Sequence, residues 1–170
     1  LPVALQFEWL GVVVGPRLVY PDGRPQSSRR RFPTLATALF ESTPVEWHWP
    51  DNPVARTFRM ADVPPDVAGS VDWVTGAAML FRTEALRAAG GFDEGFFMYS
   101  EELDLCRRLR RAGWAVRYAP DAVVVHHEGR SSDQVVAARH RPFSRSRVRY
   151  FRKHHGRAAA MVVRIALFKC

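Results

Sequence analysis

The stretch from Val71 to Ser132 constrains this chain more than any other, and at its centre runs Gly90-Gly91-Phe92-Asp93-Glu94-Gly95-Phe96-Phe97-Met98-Tyr99-Ser100-Glu101-Glu102-Leu103-Asp104-Leu105-Cys106. Five carboxylates fall within twelve residues there, interleaved with aromatic rings and introduced by a glycine pair. That composition suits a polar cleft walled by rings better than a packed core. Ser100 is placed to cap a helix from Glu101 to Ala112, with Leu105 and Leu109 on one face and Gly113 ending it.

Around this centre the chain alternates strand and helix. Gly11 to Tyr20 reads as a buried strand broken at Gly15-Pro16, and Pro21-Asp22-Gly23 as a turn. Arg29, Arg30 and Arg31 read as a solvated charge run, with an anion-binding loop as the alternative. A short helix is expected over Thr34 to Phe40, and a long loop over Pro44 to Pro65, where Trp47 and Trp49 suggest a binding loop or lid. Val71 to Arg82 reads as one strand whose Gly76 admits a close approach, followed by a helix capped by Thr83 and ended by a left-handed Gly90. Trp114 to Tyr118 and Ala122 to His126 read as two short strands joined at Pro120-Asp121. The expected fold class is α/β with a mixed sheet.

At 170 residues and 47% hydrophobic content the chain can bury one core. The net charge of +8 is concentrated in the tail: Arg139 to Lys169 holds ten Lys/Arg and no acid, and the remainder carries 15 basic against 17 acidic residues. That balance argues against a continuous nucleic-acid face. Two cysteines form no disulfide framework, which favours a reducing, cytosolic setting. The opening at Leu1 and the stop at Cys170 inside an apolar run both read as cut ends, and no apolar run reaches the ~18 residues of a spanning helix.

The acidic residues admit two readings. Glu101 and Glu102 in a first helical turn are stabilised by the helix dipole, by about 0.3–1 kcal/mol each, and Asp104 stands four residues before Arg108, the spacing of a helical ion pair. The functional reading places Glu101 and Glu102 at the rim of a cleft, aimed from the aromatic loop.

Several spaced segments, in order, resemble family 2 glycosyltransferases of the rhamnosyltransferase-like kind. They are Val71-Asp72-Trp73-Val74-Thr75-Gly76 through Arg82, Gly90-Gly91-Phe92-Asp93-Glu94, Phe97-Met98-Tyr99-Ser100-Glu101-Glu102-Leu103-Asp104 through Arg108, and Pro120-Asp121-Ala122 through His126 to Gly129 and Ser131. The resemblance covers most of residues 11 to 157. It implies a partial GT-A fold, Rossmann-like, from which the N-terminal nucleotide-binding half with its Asp-x-Asp motif is absent. It also implies an inverting transfer of sugar from a nucleotide-diphospho-sugar to a hydroxyl of a glycan or polyprenyl-diphosphate-linked acceptor in cell-surface polysaccharide synthesis. Glu102 then takes the position of the catalytic base, usually Asp, beside Glu101, with Asp104 in reserve. Trp73, Gly76, Asp93, Phe97 and Tyr99 become acceptor-binding candidates, though the rings equally suit a core and Asp93 equally suits a loop anchor. His126, or His127 in its place, becomes a candidate contact of a divalent metal, Mn²⁺ or Mg²⁺, or of the diphosphate.

The chain divides on this reading into an acceptor and catalytic-base part, residues 1–135, and a basic amphipathic tail, 136–170. The tail reads as a surface helix completing the fold, or as an interfacial helix whose arginines meet anionic lipid at the inner face of the cell membrane. Without the upstream half, the chain by itself is expected not to turn over. The rival readings are a glycan-binding remnant and a nucleic-acid module using Arg145, Arg147, Arg149 and Arg152 near Tyr150 and Phe151; no nucleic-acid partner is expected.

Overall fold

The computed structural model describes residues 13–41, 44–127 and 136–168. Its spine is a parallel pair, β1 (Val13–Val19) and β7 (Val116–Val125), rich in valines whose branched side chains favour the extended backbone. Two short strands, β2 (Pro25–Gln26) and β6 (Leu80–Phe81), pair antiparallel with the other edge of β1. β4 (Gly69–Val71) pairs antiparallel with β7, while β3 (Arg29–Arg30) and β5 (Trp73–Val74) form a separate two-stranded sheet. The sheet is mixed, as expected. The helices are α1 (Leu35–Phe40), α2 (Pro44–His48), α3 (Pro53–Phe58), α4 (Thr83–Ala88), α5 (Glu101–Arg111) and α6 (Val136–Phe168), the last broken at Gly156.

Gly15-Pro16 does not break β1. A Cβ on Gly15 would lie 2.6 Å from the Val74 side chain, so glycine is what lets β5 pack onto the strand. Pro16 falls between the pairs made by β6, at Val13 and Val14, and by β2, at Leu18 and Val19, so its missing N–H deprives no neighbour. Opposite it, β7 is one strand rather than two: the ladder steps from Pro16–Ala119 to Arg17–Val123, and Pro120-Asp121 lies in the resulting bulge.

The single strand expected over Val71 to Arg82 is divided among β4, β5 and β6, with a turn at Gly76 between the last two. The long loop after Pro44 contains α2 and α3. Its prolines start those helices, where an N–H is not needed, and Asn52 caps α3 by accepting the Ala55 N–H at 2.9 Å. Trp47 and Trp49 are exposed there. α4 is preceded by Arg82 with no side-chain cap, so Thr83 lies inside the helix instead of capping it.

Arg29 is neither solvated nor an anion site. It is buried, its guanidinium donates to the carbonyls of Val63, Pro64 and Val67, and it lies 4.8 Å from the Tyr118 ring centre. One core collects Leu103, Leu105, Cys106 and Leu109 from α5, Val13 and Val116 from the central strands, and Tyr150, Phe151, Val163 and Leu167 from α6. Each large apolar side chain so buried contributes about 1.5–3 kcal/mol. The basic tail therefore completes the core that α5 rests on. Cys106 is part of that packing, its thiol pushed up to about 12 by burial.

Candidate active site

The aromatic loop is built from both of its ends. Gly90 and Gly91 leave α4 at φ 76° and 70°, the left-handed conformation expected for Gly90. Asp93 Oδ1 accepts the Gly95 N–H at 2.9 Å, and Phe96 turns into the core. Tyr99 and Ser100 then take φ 67° and 66°, which costs a non-glycine residue about 1–2 kcal/mol each. Contacts from α6 hold this strain: the Ser146 hydroxyl donates to the Met98 carbonyl at 2.7 Å, and the Phe143 ring meets Tyr99 edge-on at 5.8 Å. In this conformation the Ser100 side chain makes no cap hydrogen bond, and the expected N-cap is replaced by a sharp left-handed turn into α5.

That turn delivers Glu101 and Glu102. Both are half-buried, and Oε2 of each is out of solvent without a hydrogen-bond partner. Burial first, and the neighbouring Glu101 charge second, push the Glu102 carboxyl up to about 7, against the pull of the backbone N–H groups of Glu102, Gly76 and Leu103. Gly76 lies beside it, since a Cβ there would sit 3.6 Å from the Glu102 side chain. A carboxyl that ionises near neutrality, with an oxygen unengaged by protein, is suited to taking a proton.

Asp104 points elsewhere. It stands about 200° around α5 from Glu102, is fully buried, and accepts from Arg108 Nε at 2.8 Å, Lys153 Nζ at 3.0 Å and His154 Nε2 at 2.7 Å. Burial alone would raise it; the bonds from His154, Lys153 and Arg108 hold it well below the usual carboxylate range. The reserve base of the sequence reading is thus the anionic centre of a helix-to-helix cluster. The ion pair with Arg108 is present as expected.

The acceptor-side candidates separate. Trp73 is buried against Phe58 and its indole N–H donates to the Arg31 carbonyl at 2.9 Å, so its ring is not open to a sugar. Asp93 pairs with Arg149 at 2.9 Å and Lys153 at 2.7 Å, and the Lys153 hydrogen bond is the main reason its carboxyl falls to about 2. Tyr99 is half-buried, and Phe97 stands 86% exposed. Gly76 and Glu102, distant in sequence, are brought together.

His126 directly follows β7, its N–H donating to the Val19 carbonyl at 2.9 Å and its Nδ1 lying 2.8 Å from Gln26 Oε1. Among the described residues no group of three or more His, Cys, Asp or Glu is arranged to hold a metal ion, so they do not by themselves fit a metal site. Gly129 and Ser131 lie outside the described residues. Ser146 and Lys153 were not singled out from sequence, and Arg149 entered only through the rival nucleic-acid reading. The available signal was the row of cations at Arg145, Arg149 and Lys153, spaced one helical turn apart and opposite an acidic loop.

Comparison with known proteins matches residues 54–143, more than half of the chain, to the model described as "Glycosyltransferase like family 2". An N-acetylglucosaminyl-diphospho-decaprenol L-rhamnosyltransferase of Mycobacterium tuberculosis (strain CDC 1551 / Oshkosh) is 36% identical over 132 residues, 75% of this chain and 42% of that protein. Rhamnosyltransferase WbbL of Escherichia coli (strain K12) is 44% identical over 64 residues, 36% of this chain and 24% of that protein. A pre-mycofactocin glycosyltransferase of Mycobacterium tuberculosis (strain CDC 1551 / Oshkosh) is 40% identical over 85 residues, 45% of this chain and 18% of that protein. The chain therefore spans less than half the length of these curated relatives. With a mixed α/β sheet consistent with part of a GT-A domain, and a matched region that contains the strained loop and its acidic pair, the chain belongs to glycosyltransferase family 2.

Proposed function

We propose that this chain carries the acceptor-side part of an inverting glycosyltransferase, with Glu102 as the general base. The observation that carries the reading is the state of Glu102, unpartnered at Oε2, ionising near 7, and presented by a turn whose strain only tertiary contacts sustain. In the reaction an acceptor hydroxyl oxygen bonds to the anomeric carbon of a nucleotide-diphospho-sugar. The bond from that carbon to the diphosphate breaks, the hydroxyl proton passes to Glu102, and the nucleoside diphosphate departs. One displacement inverts the anomeric centre.

The names of the relatives support a rhamnosyl donor and a lipid-linked acceptor carrying a diphosphate; the setting we propose for the transfer is cell-surface polysaccharide synthesis. A divalent metal, Mn²⁺ or Mg²⁺, belongs to the proposal as the usual partner of the donor diphosphate in this family. His126, with Nδ1 engaged by Gln26, has one ring nitrogen to offer it. Glu101 tunes Glu102, and Asp104 and Asp93 hold the loop and helix in place.

No helix of the described residues is long and apolar enough to cross a membrane. After Gly156, α6 buries Ala159, Ala160, Val163 and Leu167, and exposes a second apolar stripe, Ala158, Met161, Val162 and Ile165, beside exposed Arg157 and Arg164. That pattern supports a peripheral position at an anionic membrane face.

The test is the Glu102→Gln variant of the complete gene product, assayed with a nucleotide-sugar donor. Loss of about 100-fold or more in kcat with the fold intact supports the assignment. Undiminished turnover removes Glu102 from the mechanism.

A further inference from the structure

Between the aromatic loop and α6 lies a cavity of about 360 Å³, lined by Gly95, Phe97, Pro142, Arg145, Ser146 and Arg149. Its size falls at the lower end of small-molecule sites. Arg145 and Arg149 stand one turn apart on α6 and both line it. Arg145 is exposed and makes no ion pair among the described residues.

Arg149 is held in place by Asp93 and by the Phe96 ring. Its Nη2 bonds Asp93 at 2.9 Å, its guanidinium carbon lies 5.1 Å from the Phe96 ring centre, and its Nε is buried with no partner. It also rests directly on Gly95. A Cβ at that position would lie 2.0 Å from Nη2, so a side chain there would displace the guanidinium. Of the two acids that precede Gly95, Asp93 is already matched by both Arg149 and Lys153, and Glu94 is exposed to solvent. The local balance is positive, with the unengaged donors on Arg145 and Arg149. At the rim stands the exposed ring of Phe97.

We propose that this cavity is a diphosphate subsite in which Arg145 and Arg149 bind the phosphate oxygens. Guanidinium groups suit the task because their planar donors match phosphate oxygens in pairs. The inference rests on the transferase reading for its physiological ligand, since both the proposed donor and the proposed lipid-linked acceptor carry a diphosphate. The cavity's chemistry recognises the group they share. The Phe97 ring adds apolar surface where the remainder of a ligand would leave the cavity.

The experiment is calorimetric titration of the purified protein with inorganic pyrophosphate, farnesyl diphosphate and dTDP, repeated on Arg145→Ala and Gly95→Ala. Arg145 has no ion-pair partner among the described residues to lose, so its variant should melt with wild-type protein; Gly95→Ala tests the same subsite by displacing Arg149. We expect pyrophosphate to bind and each variant to weaken it about 10-fold. A matching loss for farnesyl diphosphate alone assigns the subsite to the lipid-linked acceptor, and a matching loss for dTDP alone assigns it to the donor. Absence of pyrophosphate binding by folded wild-type protein, or affinities unchanged in both variants, overturns the proposal. Failure here leaves the Glu102 assignment standing, because that is read from turnover of Glu102→Gln, whose pyrophosphate affinity should not change.

Discussion

His154 Nε2 lies 2.7 Å from Asp104 Oδ1, and both side chains are closed off from solvent, so the basic tail and the acidic helix meet in the interior of the protein. Asp104 is anionic there because Arg108 and Lys153 complete its shell. Removing the carboxylate would leave those donors facing an uncharged partner at the interface that also carries Tyr150 and Phe151. Asp104→Ala is therefore expected to cost about 3–5 kcal/mol, measured by urea denaturation, whereas Asp22→Ala, at an exposed and solvent-screened pair, should leave stability close to that of wild-type protein.

The aromatic loop should respond to acid through Asp93. Its folded carboxyl ionises at about 2, below the ordinary 3.8, so the folded state binds protons less readily than the unfolded one. Its stabilising contribution is fully present above about pH 4 and is lost as pH falls towards 2. Asp93→Asn should flatten the acid limb of stability in that window. An unchanged limb in denaturation midpoints from pH 5 to 2 would contradict the assignment.

Glu101 should be visible in the pH profile of its neighbour. Burial and the Glu101 charge raise Glu102 to about 7, so kcat/KM of the complete enzyme is expected to rise with pH through that region as Glu102 deprotonates. Neutralising the neighbour in Glu101→Gln should move that limb to lower pH while sparing much of the plateau rate. A profile that stays in place would mean the limb belongs to another group.

Gly15 should tolerate no side chain. A Cβ there would meet Val74 at 2.6 Å, with the β1–β7 pairing on one side and the β5 turn that leads to Gly76 on the other. Gly15→Ala is expected to cost about 1–3 kcal/mol through overpacking. The double variant with Val74→Ala should recover part of it, a coupling read from a double-mutant cycle.

The outer stripe of α6 should govern lipid binding. Substituting Met161 and Ile165, 55% and 49% exposed, with Glu removes apolar surface without touching the buried face of Val163 and Leu167. Sedimentation with anionic vesicles should show binding by wild-type protein that weakens with salt and is lost in the double variant. If wild-type protein leaves the vesicles unbound at physiological salt, the peripheral location is withdrawn.

What the sequence by itself determined is local. The helix from Glu101 to Arg111, the short helix after Thr34, the left-handed Gly90 and the valine strands follow from period, glycine placement and branching, which act over a few residues. The acidic pair was legible too, because spaced motifs in order carried the family resemblance. Only the tertiary structure decided that Trp73 is core, that Arg29 staples three carbonyls, and that Asp104 faces α6 while Glu102 faces Gly76. It also decided that the strain at Tyr99 and Ser100 is sustained, since Ser146 and Phe143, which hold that turn, come from a helix far along the chain. A carboxylate's state is set by burial and by the charges nearest to it, and those neighbours are chosen by packing rather than by sequence separation.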